Sequence, residues 1–221
     1  MRLIIFDFDG VVADSETLGN QIFADCLNRI GIPATAQDIM RLCMGQRWAD
    51  CAASIEARYG APLPEGFIPG VIGEVYGRAI AEAVAVPGLE AFLERFAHAP
   101  RCIGSSSRLD YIAQSLETMG LAHWFEHRFS GQDVPRGKPH PDLFLKAAQV
   151  LGAAPADCVV IEDSPAGVLA GKAAGMLTIG LCAGGHALDD HAERLLAAGA
   201  DHVAADYDEV AAIVGPLFAA T

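Results

Sequence analysis

A chain of 221 residues, 52% of them hydrophobic, is long enough to bury a large core, as one sizeable domain or as one domain carrying a smaller insertion. A net charge of -13 and a pI near 4.8 repel nucleic acid and anionic membranes, and no basic run overrules that field. The six cysteines show no CxxC or zinc-like spacing and no stretch approaches the ~18 apolar residues of a membrane span, so the expectation is a cytoplasmic monomer with reduced thiols and neither nucleic-acid nor membrane partners.

In chain order, Leu3 to Phe6 read as a fully buried strand, short, isoleucine-rich and free of charge. The run ends in Asp7 and Asp9, which the strand period of two would point to one side, with Gly10 letting the chain turn away. At roughly 6 to 7 Å and an effective dielectric near 20, two such carboxylates repel by about 2 to 3 kcal/mol, so the pair calls for a cation, a proton or an open cleft. From Thr17 to about Glu82 no convincing strand occurs. Helical patterns over Gln21 to Ile30, Ala36 to Cys43 and Ala49 to Tyr59 alternate with breakers at Gly31, Pro33, Gly60, Pro62 and Pro64.

From Pro87 onward, short apolar runs alternate with helical segments: Cys102 to Ser105, a weaker His127 to Ser130, Cys158 to Asp163, Leu177 to Leu181 and His202 to Ala205. This alternation predicts an α/β fold with a parallel sheet covered on both faces, whose ligands sit beyond the carboxyl ends of the strands. Residues 17–82 are then a helical insertion after the first strand, dividing the chain into a core (1–16 and 83–221) and an inserted unit.

The strand ends carry the chemistry. The first delivers Asp7 and Asp9, the next Ser105 with Ser106 and Ser107, and VVIED delivers Glu162 and Asp163. In RGKPHPDLF, Lys138 stands on a loop stiffened by Pro139 and Pro141, just before a helix beginning near Asp142. Oxygen ligands without histidine or cysteine suit a hard cation such as Mg²⁺, which shares one or two carboxylates with a substrate phosphate. Asp7 and Asp163 are the expected carboxylate ligands. The main-chain carbonyl of Asp9 could add a third oxygen, which leaves its side chain for proton transfer, and Glu162 would support the ligands from behind.

Taken in order, DFDGVVADSE, the first serine of CIGSSS, the lysine of GKPHPD and the acidic pair of VVIEDSPAG resemble the four motifs of the haloacid dehalogenase superfamily. The likeness spans essentially the whole chain, and the insertion after the first motif is similar to the branch of β-phosphoglucomutase and small sugar-phosphate phosphatases. The resemblance implies a Rossmann-like core, a mobile helical cap and a phosphoaspartyl intermediate on Asp7. It implies phosphate binding by Lys138 and by Ser105 with Ser106, and proton transfer by Asp9. Dehalogenases of the superfamily lack the second aspartate, since a leaving halide needs no proton, so Asp9 argues for a phosphate substrate.

In the same resemblance CMGQRWAD matches the specificity loop of the cap, with Arg47 and Trp48 facing the substrate. The expected activity is Mg²⁺-dependent hydrolysis of a small phosphorylated metabolite, a sugar or sugar-acid phosphate. The alternatives are a phosphomutase and, in another class, a phospho-aspartate receiver. Mutases of this branch use a cap lysine with an arginine to hold the sugar, whereas the lysines here are Lys138, Lys146 and Lys172 alone, and receivers need no large insertion.

Two other patterns have plainer readings. Gly167, Gly171 and Gly175 recur behind Ser164-Pro165, which reads as a helix start with a smooth packing face, and GVLAGKA is one residue short of a P-loop and has no Ser or Thr after Lys172. His186 and His191, with Asp189 and Asp190 between them, read as solvated side chains of a polar loop.

Overall fold

The structure, a computed structural model, describes residues 2–43, 51–183 and 190–218. Six parallel strands, β1 (Leu3–Phe6), β2 (Arg101–Ser105), β3 (Arg128–Ser130), β4 (Cys158–Glu162), β5 (Leu177–Leu181) and β6 (His202–Ala204), lie in the order β3-β2-β1-β4-β5-β6. The strand order reverses between β1 and β4. There the crossovers leave in opposite directions and open a crevice at the carboxyl end of the sheet.

Alternation along the central strands fixes both faces. Ile4 and Phe6 of β1, with Val159 and Ile161 of β4, pack on one side. Their partners there come from α5 (Leu89–Arg95), α6 (Leu109–Thr118) and α10 (Tyr207–Phe218). Leu3, Ile5, Cys158 and Val160 pack on the other, against α7 (Asp142–Leu151) and α8 (Pro165–Ala173). Each such aliphatic side chain, fully withdrawn from water, contributes about 1.5 to 3 kcal/mol before the cost of ordering it. The strand termini can therefore carry charged groups on a rigid base. A short helix, α9 (His191–Ala197), lies between β5 and β6.

Between β1 and α5 the described residues form α1 (Ser15–Arg29), α2 (Ala36–Cys43), α3 (Ala52–Tyr59) and α4 (Phe67–Ala81). They enclose a cluster of their own around Ile22, Phe23, Leu27, Ile39, Ile55 and Val71. The outgoing and returning segments run side by side, with Asp14 N–H donating to the Val84 carbonyl and Val86 N–H to that of Val12.

One helical expectation needs correction, and one helix was not among those expected. α1 begins at Ser15, six residues before the expected Gln21, because Gly19 and Asn20 are buried within it and do not break it. α4 carries Pro69 and three glycines in its sequence. Pro69 is tolerated because a first-turn N–H has no intrahelical partner to lose. His191 is buried, contrary to its reading as a solvated side chain, while His186 and Asp189 lie outside the described residues. No helix among the described residues is long and apolar enough to cross a membrane.

Candidate active site

At the end of β1, Asp7 N–H still donates to the Ile161 carbonyl of β4, so Asp7 is fixed at the crevice by the last rung of the sheet. Its carboxylate lies with those of Glu162 and Asp163 from the end of β4, one oxygen of each falling within 4.8 Å of the others. Lys138 enters from the loop before α7, and its Nζ is 2.8 Å from Asp7 Oδ1 and 2.6 Å from Glu162 Oε1. The Lys138 ammonium also stands 5.1 Å from the centroid of the Phe144 ring, a cation–π seat on α7.

The charges of the cluster are unequal. Burial, then the charge of Glu162, push the Asp7 carboxyl well above the ordinary aspartate range; Lys138 opposes them and Asp163 adds to them. Burial would lower Lys138, but the carboxylates of Asp7 and Glu162 outweigh it and hold the ammonium above the usual lysine value. Three buried carboxylates face one ammonium, an excess of negative charge that a divalent oxygen-seeking cation would neutralise. The donor set therefore fits such an ion, whose charge would favour the ionised form of Asp7.

Glu162 is held from behind. Its Oε2 accepts from both the N–H and the hydroxyl of Ser164, each at 2.9 Å, and Ser164 Oγ in turn accepts from Gly167 N–H, the expected N-cap of α8. Here the glycine pattern means more than close packing. A Cβ on Gly167 would lie 1.6 Å from Glu162 Oε1, and one on Gly171 would lie 2.5 Å from Thr178 Oγ1. Gly175 instead follows the helix at a φ of +73°, where no side chain would meet a neighbour within 4 Å.

Asp9 occupies a different setting. The strand ends at Phe6, so the period of two does not carry past Asp7, and Gly10 turns the chain at a φ of +75°. The carboxylates that crowd Asp7 from β4 are those of Glu162 and Asp163. Asp9 Oδ1 accepts from Ser15 Oγ at 2.6 Å and from Tyr111 Oη at 3.2 Å, and its Oδ2 accepts from Ser107 Oγ. Burial, and next the Asp9 charge, drive the Tyr111 phenol above the ordinary tyrosine value, so it stays a donor.

Ser105 ends β2 almost fully buried, and its Oγ accepts from Ser107 N–H at 3.1 Å, which leaves its own proton to give. Ser106 follows in the exposed part of the turn. Arg47 and Trp48 lie outside the described residues. Ser15 stood within the quoted first segment and Ser107 within the serine run, but only their contacts with Asp9 single them out. Tyr111 carried no sequence signal at all.

The description haloacid dehalogenase-like hydrolase belongs to the family model that matches residues 4–181. Among curated proteins, 6-phosphogluconate phosphatase of Escherichia coli K12 is 26% identical over 188 residues, covering 84% of this chain and 85% of that one. Fructose-1-phosphate phosphatase YqaB of the same organism is 28% identical over 173 residues, covering 78% and 92%. A HAD family hydrolase from Deinococcus radiodurans R1, solved with bound phosphate and sodium, superposes with a TM-score of 0.88 at 33% identity, covering 100% of this chain and 99% of the other.

Proposed function

The chain belongs to the haloacid dehalogenase-like hydrolase family, and on that premise we propose that it is a phosphoric monoester hydrolase in which Asp7 is the nucleophile and a small sugar or sugar-acid phosphate the substrate. The observation that carries the reading is the meeting of Asp7, Lys138, Glu162 and Asp163 at the point of strand reversal, with Asp9 two residues along and Ser105 at the next strand end. Such a cluster has a nucleophile, cationic and hydroxyl donors for phosphate oxygens, and a second carboxylate in a separate environment.

In the first half-reaction an Asp7 oxygen bonds to phosphorus while the phosphorus–alkoxide bond breaks, and Asp9 gives its proton to the departing oxygen. Lys138 and the hydroxyl of Ser105, with Ser106 at the turn, hold the phosphoryl oxygens. In the second, Asp9 takes a proton from water as that water attacks phosphorus, which frees inorganic phosphate and restores the Asp7 carboxylate. Mg²⁺, when held by Asp7, Asp163 and the Asp9 main-chain carbonyl, supplies positive charge to those oxygens. Glu162, held by Ser164 and Lys138, orients the ligands from behind.

Helices α1 to α4 act as the cap over the crevice, residues 17–82 forming a unit distinct from a core of 1–16 and 83–221, and Arg47 and Trp48 contact the rest of the substrate. The protein works as a cytoplasmic monomer. Hydrolysis is favoured over phosphomutase chemistry because no lysine occurs between residues 17 and 82, and over a receiver role because those four helices are there.

The test is a panel of phosphorylated sugars and sugar acids, assayed for phosphate release with Mg²⁺ and with chelator. Release from none of them, with the protein folded, would sink the reading. β-Glucose 1-phosphate with a bisphosphate primer separates the rival: rapid glucose 6-phosphate with little free phosphate would establish the mutase instead.

A further inference from the structure

We propose that Tyr111 is a positioning residue for Asp9, setting the aim of the proton-transferring carboxylate from the helix beneath it; the inference rests on the role given to Asp9 above. An ionised carboxylate has about four lone-pair sites, and three of those on Asp9 are occupied by hydroxyls of Ser15, Ser107 and Tyr111. Two donors at Oδ1 and one at Oδ2 fix the rotation of the group as well as its place.

The three donors are not equivalent. Ser15 is the first residue of α1 and Ser107 lies in the turn after β2, so each stands at the edge of an element. Tyr111 comes from within α6, 5% exposed, and its ring is clasped edge-on from two sides. Phe8 stands 5.7 Å away at 88°, and Tyr76 stands 5.4 Å away at 86°. A phenol seated in that way has one direction in which to donate, and Asp9 lies along it.

The seat is also shared. Phe8 belongs to the segment between the two aspartates, whereas Tyr76 belongs to α4, the last inserted helix. Asp9 is therefore aimed by a group whose second wall is provided by the inserted helices, and the carboxylate is best aligned when α4 rests against α6.

The experiment measures kcat/KM, which reports steps up to departure of the leaving group, for p-nitrophenyl, phenyl and p-methoxyphenyl phosphate in the full-length wild-type, Asp9→Asn, Tyr111→Phe and Tyr76→Leu proteins. p-Nitrophenolate leaves without help, whereas the poorer leaving groups need the proton. Tyr111→Phe keeps the ring, and its ratio of p-nitrophenyl to p-methoxyphenyl rates should rise about tenfold, the worth of one hydrogen bond to a charged group. Tyr76→Leu should move the ratio the same way by less. A Tyr111→Phe protein that loses all three activities equally, or none, overturns the proposal, because a merely structural tyrosine would not distinguish leaving groups. An unchanged ratio in Asp9→Asn would instead overturn the proton-transfer role of Asp9 itself.

Discussion

Asp7 and Asp9 are separated by one phenylalanine and live in opposite chemical surroundings. Asp7 sits among ions, with Lys138 against it and Glu162 and Asp163 pushing its carboxyl up. Asp9 sits among neutral hydroxyls from Ser15, Ser107 and Tyr111. A charge-rich pocket suits a group that must be a bare nucleophile facing phosphate and a cation. A ring of hydroxyls suits one that must give and take a proton without leaving its place. Residue type is identical in the two, so the division of labour proposed for them would be made by environment.

The most drastic way to break the contrast is Asp7→Asn, which removes the proposed nucleophile. Turnover of p-nitrophenyl phosphate should fall by roughly three orders of magnitude or more, with unchanged far-ultraviolet circular dichroism. Substantial residual activity in a folded protein would take the role from Asp7. Asp163→Ala acts on the ionic side alone. It deletes one of the two proposed carboxylate ligands, and the Mg²⁺ concentration for half-maximal activity should rise at least about tenfold, while an unchanged metal titration would reassign the ligand set.

Gly167→Ala presses on the same side from beneath. A methyl placed 1.6 Å from Glu162 Oε1 must displace that carboxylate or shift α8. The expected loss is about 1 to 3 kcal/mol of stability, read from denaturant unfolding. In a Glu162→Ala background the same substitution should cost much less. Equal cost in both backgrounds would mean that the carboxylate is not what the glycine accommodates. The gentlest change, Tyr76→Leu, leaves the ionic side intact and loosens the hydroxyl side. Its kcat/KM on phenyl phosphate should fall about threefold, consistent with one aromatic pair, with no change in the Mg²⁺ titration. A shift in that titration would show that the two sides are not separable.

Much of this site was legible because strand ends are legible. LIIF, CIGS and CVVIE are short apolar runs that end at or run directly into Asp7, Ser105 and the Glu162–Asp163 pair, and a parallel sheet must bring such ends to one edge. Lys138 was readable as a cation on a proline-flanked loop, and its seat between Asp7 and Glu162 followed the expectation that the lysine belongs with the acids. The ring around Asp9 was not legible: β1 ends at Phe6, and the hydroxyls that meet Asp9 come from Ser15, Ser107 and Tyr111, remote from the strand pattern.

The alternation of strands and helices, the long helical insertion, the acidic ends of β1 and β4 and the lysine that answers them follow from hydrophobic period and residue chemistry, which are local properties of the chain. Tertiary structure alone decided that Glu162 needs Gly167 to be bare, that Asp7 is crowded from β4, and that Asp9 is aimed by a tyrosine 102 positions away and steadied by an inserted helix. Those contacts join residues remote in the chain. No local pattern carries them, since they arise only when packing brings helix α6 beneath the end of β1 and α4 against its ring.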